Sequence, residues 1–114
     1  MTDFRTEKDS LGEVHVPKDA LWGAQTQRAV ENFPVSGLAM PSAFIGAVVR
    51  IKQAAADANA SLGLLDVQLR DAIVDAGDRI IAGEFDDQFP VDRYQTGSGT
   101  STNMNVNEVI SALA

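Results

Sequence analysis

The 114 residues carry sixteen acidic against nine basic side chains, a formal net charge of −7, with 45% hydrophobic and 22% charged residues. That balance fits one globular domain of ordinary size, and the acidic excess argues against a surface that binds nucleic acid by displacing counterions from phosphates. With no cysteine in the chain, disulfide scaffolds, thiolate metal sites and cysteine nucleophiles are excluded, and a reducing compartment is suited.

The opening MTDFRTEKDS lacks the apolar stretch of a secretory signal, and no apolar run approaches the ~18 residues of a membrane span. A cytoplasmic protein with neither membrane nor nucleic acid as partner is therefore expected. From Phe4 to Pro17, the alternation in Glu13-Val14-His15-Val16 and the Ser10-Leu11-Gly12 turn signal predict a short β-hairpin. A helix is expected from Ala20 to Phe33, with Asp19 as its cap. Pro34 to Met40, closed by Pro41, reads as a connecting loop because prolines and a glycine interrupt any regular ladder.

Spacing of three or four predicts a helix over Ser42 to Leu62 with Phe44, Val48, Ile51, Ala55, Ala58 and Leu62 on its apolar face, and Gly63 as its C-cap. Asp66 is placed to cap the next helix, whose stripe is Leu69, Ile73, Ala76 and Ile80 and whose end is Gly83. The short connection between these helices predicts antiparallel packing. Glu84 to Pro90 reads as an acidic loop with aromatic anchors. Gly97 to Thr102 then leads into apolar positions Met104, Val106, Val109, Ile110 and Leu113, a loop-to-helix transition. Ile110 to Ala114 holds no glycine, proline or basic last turn, so the chain is expected to stop inside its last helix. No fixed-period repeat or low-complexity tract is seen. The fold class expected is mainly α, a small helical domain with an N-terminal β-hairpin: residues 1–17 form the β element and residues 18–114 the helices and a ligand loop.

The stretch from Gln95 to Glu108 is the most informative for chemistry. Glycines let backbone approach a ligand, hydroxyls donate hydrogen bonds, and a helix start offers unpaired N–H groups at the positive end of its dipole. Together they can hold a carboxylate without a formal cation. The same composition also suits a plain turn in which Thr100 or Ser101 caps the helix. The stretch lacks the lysine of a P-loop and the third glycine of a dinucleotide fingerprint.

The sequence QTGSGTSTNMNVNEVI, Gln95 to Ile110, closely resembles a segment typical of class II fumarases. Phe4-Arg5, Glu7 to Glu13, Val16-Pro17, Leu21 to Arg28, Glu31 to Pro34, Leu62 to Leu65, Ala82-Gly83 and Asp86 to Pro90 resemble the same family in order. The resemblance implies the first, lyase-type domain of the fumarase/aspartase fold. For the full-length parent it implies a homotetramer that hydrates fumarate reversibly to L-malate, a small dicarboxylate, with no metal or organic cofactor. Ser98, Gly99 and Thr100 match the family's substrate-binding stretch and are expected to donate hydrogen bonds to a substrate carboxylate. Asn103 is a further candidate, while Asn105, Asn107 and Glu108 are expected to orient the loop or pack against neighbours.

Hydration across a double bond also needs groups that exchange a proton and activate water. The single histidine, His15, does not match the family's catalytic one; that residue and the family's mobile serine loop would lie beyond Ala114. No catalytic residue is therefore assigned, and the isolated chain is expected to be inactive. Trp22 and Phe33 are expected as packing anchors, Asp86 and Asp87 as a solvated pair and not metal ligands, and Arg28 as an exposed helix arginine. The rival readings are a fragment of aspartate ammonia-lyase, whose loop is typically GGAGTS-like, and a noncatalytic helical interaction module.

Overall fold

A computed structural model describes residues 3–95 and 99–114. Its first element is an antiparallel hairpin, β1 (Phe4–Asp9) and β2 (Gly12–Pro17), paired from Phe4↔Pro17 to Asp9↔Gly12. Asp9 Oδ1 accepts from Leu11 N–H at 3.0 Å, and Gly12 at φ +116° takes the left-handed turn that a side chain would strain. Alternation buries Val14 and Val16 on one face and leaves His15 exposed on the other.

The first helix, α1 (Ala24–Asn32), begins four residues later than the sequence suggests, and Asp19 does not cap it. Arg5 explains the delay. Its guanidinium donates to the carbonyls of Pro17, Lys18, Ala20 and Trp22 at 2.6–3.1 Å, so these oxygens are engaged away from any helical ladder. Arg28 is also not a free surface arginine. It grips Asp9 with two hydrogen bonds of 2.8 and 2.9 Å and reaches the Gly12 carbonyl, tying α1 to the hairpin turn. The Arg28 guanidinium, foremost, holds the Asp9 carboxyl below the usual carboxylate range.

α2 (Ser42–Ser61) and α3 (Val67–Ile81) pack together and run antiparallel, since Gln53 meets Val74 and Asp78 while Asp57 meets Arg70. Gly63 ends α2 at φ +73°, with Leu64 N–H donating to Asn59 carbonyl, and the Asp66 carboxylate accepts from Gln68 N–H at 2.8 Å to start α3. The inward face of α2 is Ile45, Val49 and Ala56; of the expected stripe, Ile51 and Leu62 stay 67% and 72% exposed and Phe44 is exposed too. α2 carries apolar residues on two faces, and the buried one is disguised by Gln53, which sits in it to bond α3.

A 3₁₀ turn at Asp86–Gln88 leads to buried Phe89 and Val91, and α4 (Thr100–Leu113) completes the chain. α4 lies at the centre. Val106, Val109 and Ile110 pack with Ile45 and Val49 of α2, Ala76 and Ile80 of α3, and Phe89. Each fully buried valine contributes roughly 1.5–3 kcal/mol by leaving water. A smaller cluster joins Val14, Val16 and Ala24, and Trp22 packs against both clusters. The mainly helical class with an N-terminal hairpin is as expected from the sequence.

Candidate functional site

The N-terminal end of α4 is fixed from two directions. On the chain's own approach, Asp92 is buried and organises the segment before the helix. Its carboxylate accepts from the backbone N–H of Tyr94 (2.8 Å), Ser36 (2.8 Å) and Gly37 (2.9 Å) and from the Ser36 hydroxyl (2.9 Å). These donors, Tyr94 N–H foremost, hold its pKa at about 2 against the opposing effect of burial. Ala39 and Asp92 form a β-bridge, and Arg93 N–H donates to the Leu38 carbonyl, so the Pro34 to Met40 loop is strapped to this segment.

Gln95 then spans the gap to the helix. Its amide nitrogen donates to the Asp92 carbonyl at 3.1 Å and to the Thr102 hydroxyl at 2.6 Å, while its amide oxygen accepts from Thr102 N–H at 3.2 Å. A first-turn amide of α4 is thus capped by a side chain that precedes the glycine loop. Gly99 is the N-cap residue at φ +77°, ψ +10°, a conformation favoured by glycine. Thr100 follows, exposed, as the first helical residue. Of the residues expected to bind substrate, Gly99 and Thr100 therefore stand together at the start of α4, and Ser98, with Thr96 and Gly97, lies outside the described residues.

The field at this end is favourable to an anion. The first turn of α4 has no acidic side chain, and the helix dipole presents its positive end there. Behind it, Lys52 of α2 donates from Nζ to the Asn103 amide oxygen at 2.5 Å, and Asn103 N–H closes the first α4 turn onto the Gly99 carbonyl at 3.0 Å.

The other polar residues of α4 serve packing. Asn105, 1% exposed, donates to the Gln88 carbonyl at 3.0 Å, and Gln88 in turn accepts from Leu21 N–H at 2.8 Å. Glu108 reaches the start of α1, accepting from Gln25 N–H (3.1 Å), Thr26 N–H (2.9 Å) and the Thr26 hydroxyl (2.5 Å). It is the cap that α1 lacks in its own sequence. Gly23 makes room for it, because a Cβ there would stand 2.6 Å from Glu108 Oε2. His15 lies on the hairpin's exposed face, Trp22 Nε1 donates to Gln27 Oε1, and Phe33 is half-buried.

Sequence reasoning did not identify Asp92, Gln95, Lys52 or the capping role of Glu108 as parts of this framework. Their partners lie on other elements, and no local spacing announces them. Among the described residues, no three acidic or histidine side chains converge to hold a metal, and no helix is long and apolar enough to cross a membrane.

The family model described as "Lyase" matches residues 12–114. The class II fumarate hydratase of Halobacterium salinarum is 66% identical over 108 residues, covering 95% of this chain and 23% of that protein. A class II fumarate hydratase of Pseudomonas aeruginosa is 57% identical over 114 residues, covering 100% of this chain and 25% of that protein. The crystal structure of class II fumarase from Schistosoma mansoni superposes with a TM-score of 0.92 at 44% identity, over 96% of this chain and 23% of that one. The chain thus spans about a quarter of the length of the relatives it matches. With the family match running through the hairpin's second strand, the four helices and the α4 entrance, this chain belongs to the lyase family, among relatives that are class II fumarate hydratases.

Proposed function

We propose that this chain supplies the carboxylate grip of a fumarate hydratase, the enzyme that adds water reversibly to fumarate to give L-malate. The observation that carries the reading is the start of α4: a left-handed Gly99 opens a fourteen-residue helix with no acid in its first turn, and Gln95 fixes its approach. Backbone N–H groups at such an end match a carboxylate in charge and geometry. In this reading Ser98 and Thr100 donate through their side chains, and Gly99 gives the substrate close access to the backbone. Gripping one carboxylate of a dicarboxylate holds the double bond in register for groups that protonate carbon and activate water.

Those groups are not supplied by this chain. His15 faces outward from the hairpin, and no other histidine is present. We place the proton-transferring residues in the part of the enzyme that this chain does not span, in a cytoplasmic homotetramer. The loss of fumarate absorbance on adding the complete gene product tests the reading. Hydration by the complete product, none by the 114-residue chain, and a higher KM after Thr100→Ala in the complete product are the expected results. Turnover by the 114-residue chain alone would refute it.

A further inference from the structure

We infer that Lys52, on a helix remote in sequence from the glycine loop, is a positioning residue for the carboxylate grip; the inference rests on the functional reading above. Among the described residues, Arg5, Arg28, Arg70 and Arg79 all have acidic partners, and Lys8, Lys18, Arg50 and Arg93 are exposed, Arg93 donating to the Ala39 carbonyl. Lys52 differs: it is half-buried, and its ammonium is bonded to the neutral amide oxygen of Asn103 at 2.5 Å. Packing alone gives no reason for a charge here, since an uncharged chain of similar length fills the same space without desolvating an ammonium.

What the charge provides is a strong, directional bond. A charge-assisted hydrogen bond is roughly twice as strong as a neutral one, and this one ends on the residue whose N–H closes the first turn of α4 onto Gly99. Lys52 therefore fixes the azimuth of the turn that presents Gly99 and Thr100, from a helix remote from the Gln95 cap in sequence. With Gln95 holding Thr102 and Lys52 holding Asn103, consecutive residues of the helix start are clamped to different elements. The grip is then set before substrate arrives, and its ordering is not drawn from binding energy.

The test uses the complete gene product and fumarate as probe. Lys52→Met and Asn103→Ala are each expected to raise KM about tenfold while kcat stays within about twofold. A carboxylate held equally in ground and transition states affects binding and not the chemical step. Lys52→Arg, which can donate to the same oxygen, is expected to recover most of the loss. The Lys52→Met, Asn103→Ala double variant is expected to show no more than either single change, because both remove one bond. A KM for Lys52→Met within twofold of wild type, or a double variant whose KM change is the product of the two single changes, overturns the inference. If Lys52→Met lowers Tm and leaves KM unmoved, Lys52 is structural only, and the inference also fails. Wild-type gene product that hydrates no fumarate instead refutes the functional reading itself and takes this inference with it.

Discussion

Replacing Glu108 with alanine removes, in one change, the acceptor for Gln25 N–H, Thr26 N–H and the Thr26 hydroxyl. Loss of an N-cap costs about 1 kcal/mol, and loss of an acid at the positive end of a helix about 0.5 kcal/mol. The Thr26 side chain is fully buried, so stranding its hydroxyl adds roughly 1–2 kcal/mol. The expected destabilisation is therefore about 3 kcal/mol, a lowering of Tm by roughly 15 °C for a domain of this size. Glu108→Gln keeps one acceptor oxygen without the charge and is expected to lose only about 1 kcal/mol. Gly23→Ala supplies the internal control. Its Cβ would stand 2.6 Å from Glu108 Oε2 and displace the cap, so its penalty should shrink once Glu108 is already alanine. Equilibrium urea unfolding of the 114-residue chain measures the cycle, and hydrogen exchange at Gln25 and Thr26 reports the cap directly. Effects of Gly23→Ala and Glu108→Ala that add within about 0.5 kcal/mol, or unchanged protection of both amides, would refute the account of how α1 begins.

The acid limb of stability should carry the signature of Asp92. Its folded pKa of about 2 lies below the ordinary value of 3.8, so its contribution is complete above pH 4 and is lost as pH falls through about 2; Tm between pH 4 and pH 2 should fall more steeply in wild type than in Asp92→Asn. At Gly77, a Cβ would stand 2.5 Å from Gln53 Nε2 and disturb the bond to the Val74 carbonyl. Gly77→Ala should thus be near neutral by itself, where lost bonding offsets helix propensity, and should stabilise by about 1 kcal/mol in a Gln53→Ala background, as urea midpoints would show. Gln95→Ala releases both the Asp92 carbonyl and the start of α4, and in the complete gene product it should raise KM for fumarate by about tenfold with a smaller effect on kcat.

The readable parts of the fold were those whose causes are local. The hairpin turn, the Gly63 and Gly83 helix ends and the Asp66 cap depend on residues within a few positions of one another, and the structure has them where the spacing puts them. The start of α1 depends instead on Arg5, Gln88 and Glu108, which come from β1, the 3₁₀ turn and α4. Sequence periodicity offered Asp19 as the cap because nothing nearby competed with it. The face of α2 failed for a related reason: Phe44, Ile51 and Leu62 satisfy helical spacing as well as Ile45, Val49 and Ala56 do, and only the partners on α3 and α4 choose between them.

The site divides along the same line. Glycine and hydroxyl residues from Gly97 to Thr102 suggest, in the sequence, a backbone suited to a carboxylate, and Gly99 takes the αL conformation at the head of α4. The framework that aims them is built from buried or half-buried polar groups whose partners lie on other segments: Asp92 on the Ser36 loop, Gln95 on Thr102, Lys52 on Asn103. Such bonds form only once the fold has brought these segments together, and losing one that leaves a buried partner unsatisfied costs roughly 1–3 kcal/mol. The start of α4 is thereby held by its surroundings and not by its own sequence alone. It follows that activity should be more sensitive to Gln95 and Lys52, which touch no substrate in this reading, than to exposed neighbours of the loop such as Tyr94, which is 62% exposed. A Tyr94→Ala enzyme whose KM rises as far as that of Gln95→Ala would argue that the grip is built from the loop's own contacts and not from its frame.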